Sequence, residues 1–300
     1  MSADPAVRQV CPTRCLLGES PLWHPDQQCL YWCDIPGHRL HRFNPATGIE
    51  SHWDFDTDVA ACAPLRDGSM LLAMRDGLWR VDLASGNRER LAPPPYDPAV
   101  ERFNDAKCDP AGRFWVGTIY EPRDPPLAAL YCLSGQQLDR RADGITVSNG
   151  LAWSPDGATM YWSDTKAHRI DAFDFGVADG SLSRRRVFAS FAPRDAGSPQ
   201  AYGGRPDGAA VDSEGCYWVA MFEGARIVRL SPAGDVIREI RLPVQCPTMV
   251  CFGDADLRTL YITTASHKRP EAELAAQPWA GSVLAMRVDV PGLPACFFSG

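Results

Sequence analysis

The sequence offers little that would tie the protein to a membrane or to nucleic acid. None of its 300 residues lies in an apolar run approaching the roughly 18 residues of a membrane-spanning helix. The N-terminal segment lacks the continuous apolar core of a secretory signal. The 30 basic residues are outnumbered by 37 acidic ones, and the formal net charge of −7 repels the phosphate backbone of nucleic acid. We therefore expect no membrane or nucleic-acid partner, and a cytoplasmic location.

Several signatures of catalysis and cross-linking are also missing. The chain contains no GxSxG, HExxH or Walker phosphate-loop motif, which excludes the commonest serine-hydrolase, zinc-protease and nucleotidase sites. It has 11 cysteines, but the number is odd and no CxxC pair occurs, so a disulfide framework is not expected. His38 and His41 are three residues apart and fall on opposite faces of a strand, which argues against a shared zinc site.

Six weak copies of one pattern run along the chain. In each copy, a turn rich in proline, aspartate and glycine leads into a short strand-like segment, as in WHPDQQCLYWCD (23–34) and WSPDGATMYWSD (153–164). The turns lie at positions 26, 67, 111, 156, 214 and 255, with separations of 41, 44, 45, 58 and 41 residues. Units of about 40–50 residues with several strands are typical of the blades of a β-propeller.

These repeats predict an all-β fold, a six-bladed β-propeller that forms a single closed domain over residues 1–300. No segment has a sustained helical stripe, and the 26 prolines and 25 glycines fit many turns. The 58-residue interval contains an insertion, FAPRDAGSPQAYGGRPDG (191–208). Four tryptophans recur at one strand position and are predicted to pack between blades: Trp32, Trp115, Trp162 and Trp218.

Four polar residues precede the turn of their repeat by the same seven positions. They are Glu19, Asn104, Asn149 and Asp207. The innermost strands of a propeller begin near its central channel, so an equal offset predicts an equal height around that channel. Two carboxylates and two amide oxygens would form a cluster of hard oxygen ligands, whose negative charge requires a cation. We predict one divalent metal ion there: calcium, magnesium, manganese, iron(II) or zinc.

Each of these residues also has a simpler explanation when taken alone. Asn-Gly and Asp-Gly pairs shape turns in many all-β proteins, and a single glutamate is usually a solvated loop residue. The matching offsets favour the metal site over four unrelated turns.

At these residues the sequence resembles the gluconolactonase family, which includes regucalcin (senescence marker protein) and bacterial sugar lactonases. The resemblance follows the chain in order through GESPLW (18–23), RFNDAKCDPAGRFWVGT (102–118), SNGLAWSPDG (148–157) and PDGAAVDSEGCYWVA (206–220). It implies a six-bladed propeller with one catalytic divalent metal in the channel. The family's glutamate, asparagine and aspartate ligands correspond to Glu19, Asn149 and Asp207.

The resemblance also implies how substrate is held. The arginine and asparagine of the RFND motif bind sugar hydroxyls in this family, and here they are Arg102 and Asn104. Glu121, which follows the GT pair, is the candidate for a further substrate contact. The insertion from Ser198 to Arg205 borders Asp207 and is predicted to form a lid or a substrate wall.

The function implied is hydrolysis of a small sugar-derived aldonolactone to its aldonic acid, a carboxylic ester hydrolysis of the EC 3.1.1 class. The metal would polarise the lactone carbonyl, and Asp207 would act as both ligand and general base. Two alternatives stay open at this point. One is hydrolysis of other esters or organophosphates by the same metal, and the other is a non-catalytic calcium-binding or interaction propeller.

Overall fold

The computed structural model describes residues 7–195, 197 and 202–300. Within these residues, 24 strands form six four-stranded antiparallel sheets, arranged as the blades of a β-propeller. The prediction of a six-bladed all-β fold is therefore confirmed. Each predicted turn joins the innermost strand of a blade to the second strand, which is why the turns recur at nearly constant spacing.

The first five blades follow the chain, each from its innermost strand outward. Blade 1 contains β2 (Gly18–His24), β3 (Cys29–Asp34), β4 (Arg39–Asn44) and β5 (Ile49–Asp54). Blade 2 contains β6 (Val59–Pro64), β7 (Met70–Met74), β8 (Gly77–Val81) and β9 (Arg88–Ala92). Blade 3 contains β10 (Glu101–Cys108), β11 (Phe114–Tyr120), β12 (Ala128–Ser134) and β13 (Gln137–Ile145).

Blades 4 and 5 flank the predicted insertion. Blade 4 contains β14 (Ser148–Trp153), β15 (Thr159–Asp164), β16 (Arg169–Gly176) and β17 (Ser181–Ser190). Blade 5 contains β18 (Arg205–Val211), β19 (Tyr217–Phe222), β20 (Arg226–Leu230) and β21 (Val236–Arg241). Because β18 begins at Arg205, the last four residues of the predicted insertion belong to a blade strand. Residues 198–201, on which half of the lid prediction falls, lie outside the described residues.

Blade 6 joins two distant parts of the chain. It contains β22 (Pro247–Gly253), β23 (Thr259–Thr264) and β24 (Ser282–Arg287), with β1 (Arg8–Arg14) as its fourth strand. In this sheet Arg8 lies opposite Ala285. Pairing with β1 covers the outer edge of β24, which would otherwise present unpaired backbone groups.

A helix of six residues, α1 (Glu271–Ala276), lies between β23 and β24. The sequence analysis missed it because one and a half turns are too short to show a helical stripe. No helix in the described part of the chain has the length and apolar character needed to cross a membrane.

The four recurring tryptophans lie at the centre of their blades and are 0–1% exposed, which confirms their predicted role in the core. Buried indole N–H groups need acceptors. Trp115 and Trp218 donate to the buried carboxylates of Asp109 and Asp212, each over 2.8 Å. The 11 cysteines are free and nine are buried, as expected of small apolar residues.

Candidate active site

The innermost strand of every blade carries the same irregularity near its start. The pairing register shifts between Glu19 and Leu22, Val59 and Ala61, Phe103 and Ala106, Asn149 and Ala152, Pro206 and Ala209, and Pro247 and Met249. A β-bulge interrupts the alternation of side chains and redirects them. The four residues of equal offset lie at or within such a bulge, so one local distortion, repeated by blade, presents them to the channel.

Five of the six residues predicted for the site line one cavity of about 110 Å³: Glu19, Arg102, Asn104, Asn149 and Asp207. All five are buried, with at most 8% of their surface exposed. They come from four blades that are far apart in the sequence. The structure therefore brings together the four residues of equal offset and the arginine of the RFND motif.

A chain of hydrogen bonds fixes the amide side chains of this cavity. Arg102 Nη1 donates to Oδ1 of Asn104 over 2.8 Å, and Asn104 Nδ2 donates to Oδ1 of Asn149 over 2.8 Å. Asn149 Nδ2 in turn donates to Oγ1 of Thr165 over 2.8 Å. This last bond sets the orientation of the Asn149 amide, so Oδ1 faces Asn104 and the cavity.

Two buried carboxylates, Glu19 and Asp207, line the cavity, and a third buried carboxylate, Asp105, lies near both. Burial raises the pKa of each, and the neighbouring carboxylates raise the pKa of Glu19 and Asp207 further. Oδ1 of Asp207 and Oδ1 of Asp105 are buried and have no hydrogen-bond partner among the described residues. Uncompensated buried anions are costly, and oxygen-rich clusters of this kind fit a hard divalent cation.

Glu121 does not line this cavity. It accepts hydrogen bonds from Nη1 and Nη2 of Arg75, over 3.0 and 3.1 Å, and these bonds hold its pKa below the usual range. Its carboxylate lines a neighbouring cavity of about 540 Å³ and lies 3.8 Å from Nε of Arg102. A direct contact between Glu121 and substrate stays a prediction.

The structure adds several charged residues to the site, and of these the sequence analysis gives a role only to Arg205, the last residue of the segment predicted to form a lid or a substrate wall. Asp105 is buried, and its Oδ2 accepts a hydrogen bond from the backbone N–H of Leu151 over 2.9 Å. Arg123, Lys166 and Arg205 line the cavity itself. Arg123 and Lys166 lie in connections between outer strands, outside the repeated inner-strand pattern. The sequence therefore carried no positional signal for them.

A second group of possible metal ligands, Cys15, Asp34 and His41, lies in blade 1 with its ligand atoms within 4.8 Å of one another. The carboxylate of Asp34 accepts the backbone N–H groups of Leu16 and Leu17, both over 3.0 Å. In blade 4, Asp164 makes the same two bonds to Thr146 and Val147, over 3.0 and 3.2 Å. A shared backbone-capping role therefore accounts for Asp34. His38 is not part of this group: its Nε2 contacts Asp58 at 3.1 Å.

Three comparisons with known proteins agree on the relationship. The family model SMP-30/Gluconolactonase/LRE-like region matches residues 17–266. The chain is 43% identical to 6-deoxy-6-sulfogluconolactonase of Pseudomonas putida over 286 residues, covering 95% of this chain and 96% of the relative. It is 32% identical to regucalcin of Oryctolagus cuniculus, covering 98% of each.

Among solved structures, a regucalcin from Agrobacterium tumefaciens, described as a calcium-binding protein, superposes with a TM-score of 0.92. The two chains are 26% identical, and the match covers 99% of this chain and 98% of the other. The agreement in length and fold extends across all six blades.

Proposed function

Because the chain belongs to the SMP-30/gluconolactonase/LRE-like family, we propose that it hydrolyses a sugar-derived aldonolactone to the aldonic acid with the help of one divalent metal ion. The observation that carries the proposal is the pair of buried carboxylates, Glu19 and Asp207, facing one polar cavity. Oδ1 of Asp207 has no hydrogen-bond partner among the described residues, so this carboxylate oxygen is available to bind a cation.

The residues that would hold the ion are Glu19, Asn149 and Asp207. A divalent cation bound there would supply a Lewis acid for the lactone carbonyl. Asp207 would also act as general base, because a carboxylate has two oxygens and one of them can accept a proton from the attacking water. Buried surroundings exclude bulk water, which strengthens each of these electrostatic interactions.

Arg102 and Asn104 would orient the lactone. Nη1 of Arg102 is engaged by the carbonyl oxygen of Phe103 and by Asn104, whereas Nη2 makes no hydrogen bond to the described residues. Nη2 is therefore available to donate to a lactone hydroxyl. Both N–H groups of Asn104 are engaged, by Ser148 O and Asn149 Oδ1, so Asn104 would bind substrate only as an acceptor through Oδ1.

The test is removal and return of the metal. Purified protein is treated with chelator, checked by elemental analysis, and assayed on glucono-1,5-lactone with a pH indicator, after subtraction of spontaneous hydrolysis. We expect hydrolysis to be lost and to return when calcium, manganese, zinc, magnesium or iron(II) is supplied. Undiminished hydrolysis by protein shown to be metal-free would refute the metal-dependent mechanism.

A calcium-binding propeller without catalysis is the second candidate, favoured by the description of the Agrobacterium neighbour. The same preparation distinguishes the two. Calorimetric binding of calcium, together with no lactone hydrolysis under any of the five metals, would support the second candidate and reject the first.

A further inference from the structure

The outer part of the proposed active site is rich in positive charge. The 110 Å³ cavity, here called the inner cavity, and the 540 Å³ cavity, here called the outer cavity, share six lining residues, including Arg102, Arg123 and Arg205, so they are continuous. Together they are lined by seven lysine and arginine side chains, against three carboxylates besides Glu19 and Asp207. The whole protein has a net charge of −7, so this concentration of cations is local.

Part of this positive charge is neutralised within the protein. Arg75 binds Asp58 and Glu121 at 2.6 and 3.0 Å, and Arg269 binds Glu223 at 2.8 Å. These pairs lie in the wall of the outer cavity. Two of these carboxylates also contact another cation: Glu223 lies 3.2 Å from Arg205, and Glu121 lies 3.8 Å from Arg102.

Arg123 and Lys166 form no ion pair with the described residues, although both line the inner cavity with Glu19 and Asp207. Nζ of Lys166 donates to the backbone carbonyl of Arg123, which holds the Lys166 ammonium against the connection that carries Arg123. That bond ties the connection between β11 and β12 to the turn between β15 and β16. Two cations without an ion pair among the described residues therefore line the inner cavity, and the bond fixes the position of one of them, Lys166.

Arg205 completes the group from a third blade. It lies two residues before Asp207 on β18, and its guanidinium stacks on the ring of Phe222 at 5.2 Å from the centroid. Stacking holds the plane of the guanidinium while leaving its edge free to donate. Nε of Arg205 is buried and has no hydrogen-bond partner among the described residues. It is therefore a donor without an acceptor in this cavity.

We propose that the preferred substrate is an aldonolactone that carries an anionic group at the end remote from the lactone carbonyl, and that Arg123, Lys166 and Arg205 bind that group. The proposal rests on the proposed lactone hydrolysis. Sulfonate, phosphate and carboxylate share the required chemistry, since each presents several acceptor oxygens to guanidinium and ammonium donors. The metal end of the cavity holds the reacting carbonyl, and the three cations hold the other end of the molecule.

The experiment compares glucono-1,5-lactone with its 6-phospho, 6-deoxy-6-sulfo and 6-carboxylate counterparts. We expect kcat/KM to be about tenfold or more higher for at least one anionic lactone than for the neutral one, and the most favoured of the three identifies the group. The preference should shrink as salt is added, because screening weakens the attraction. The variants are Arg123→Gln, Lys166→Gln and Arg205→Gln. The matched control is Arg140→Gln, on the outermost strand of blade 3, where Arg140 pairs with Asp143 at 3.2 Å.

Each of the three variants should lose about tenfold in kcat/KM on the anionic lactone and less than about threefold on glucono-1,5-lactone, consistent with the loss of a charge-assisted hydrogen bond. Arg140→Gln should leave kcat/KM unchanged on both lactones. Lys166→Gln serves if Arg205→Gln unfolds, because Lys166 is exposed and forms no ion pair with the described residues. Equal rates on neutral and anionic lactones would overturn this proposal and leave lactone hydrolysis standing. Failure to hydrolyse any lactone would overturn both.

Discussion

The side-chain amide of Asn104 donates from Nδ2 to Oδ1 of Asn149 over 2.8 Å. This contact joins a residue assigned to substrate with a residue assigned to the metal. Asn104 also accepts from Arg102 through Oδ1, so one amide orients both neighbours. The two functions of the cavity are thus coupled through a single side chain.

We expect Asn104→Ala to weaken the binding of the metal as well as the binding of the substrate. Loss of the amide removes the donor that fixes Asn149 and the acceptor that fixes Arg102, and loss of a partner to a metal ligand typically costs about 10–100-fold in metal affinity. Metal titration by calorimetry and the KM on glucono-1,5-lactone should both shift. A change in KM with unchanged metal affinity would show that Asn104 does not position Asn149.

Asp207→Ala should abolish lactone hydrolysis even at saturating metal, because it removes a ligand and the proposed base together. A loss of at least about 10²–10⁴ in kcat is the usual scale for a general base. Asn149→Ala removes a neutral ligand only, so excess metal should restore part of its activity. Near wild-type turnover by metal-saturated Asp207→Ala would rule out its role as base.

Arg102→Ala should lower kcat/KM on a polyhydroxylated lactone by roughly ten- to a hundredfold, through loss of a charge-assisted hydrogen bond. A plain lactone without hydroxyls offers no such bond, so its hydrolysis should be nearly unchanged. Elemental analysis of the variant should find the metal retained. An equal fall on both substrates, or loss of the ion, would instead assign Arg102 to the structure of the site.

Asp109→Ala should destabilise the fold by about 3–5 kcal/mol, because it leaves a buried cation without its partner. Asp109 is fully buried and accepts from Nε of Arg113 over 2.6 Å and from the indole of Trp115 over 2.8 Å. Asp156→Ala is the control, since this exposed aspartate accepts bonds only within its own turn. Urea unfolding should show a small change for the control; equal changes would contradict the role of Asp109.

His41 should make stability depend on pH. Burial against Trp32 lowers its pKa to about 4, from an ordinary value of 6.5. Between about pH 6.5 and pH 4, His41 is protonated in the unfolded chain but neutral in the folded protein. The free energy of unfolding therefore falls as pH falls through this window. By linkage the loss at pH 5 is about 2 kcal/mol.

The measurement is the free energy of unfolding at pH 7.5 and pH 5 for wild type and His41→Phe. Phenylalanine keeps a ring against Trp32 and cannot titrate, and the other groups cancel in the double difference. The pH dependence of the variant should be smaller by about 2 kcal/mol. Identical pH dependence in the two proteins would show that His41 is not responsible.

The sequence revealed the blades because every blade places a short turn after its innermost strand, and these turns are rich in proline, aspartate and glycine. It did not reveal the pairing of β1 with β24, since partners as distant as Arg8 and Ala285 share no local pattern. It also missed α1, whose six residues show no periodicity.

For the site, the equal offset identified four residues that line one cavity, because the same bulge is repeated in all six innermost strands. The same offset in the other two blades falls on Ala60 and Thr248, so only four positions carry a carboxylate or amide. Arg123 and Lys166 were not predicted as site residues, because the connections between the second and third strands of their blades have no fixed register relative to the repeat. Their position depends on the tertiary hydrogen bond between them.

The pairing of β1 with β24 has a consequence for biosynthesis. During synthesis β1 is made before the other described strands, whereas its partner β24 is made after all of them. For most of translation β1 has no sheet to join, and its backbone N–H and C=O groups form hydrogen bonds with water instead. Ring closure is therefore a late, long-range event, whose loop-closure entropy grows only with the logarithm of the chain length between the two strands. A nascent chain that stops before β24 contains all the strands of five blades, but in the sixth blade β1 has no neighbouring strand to pair with.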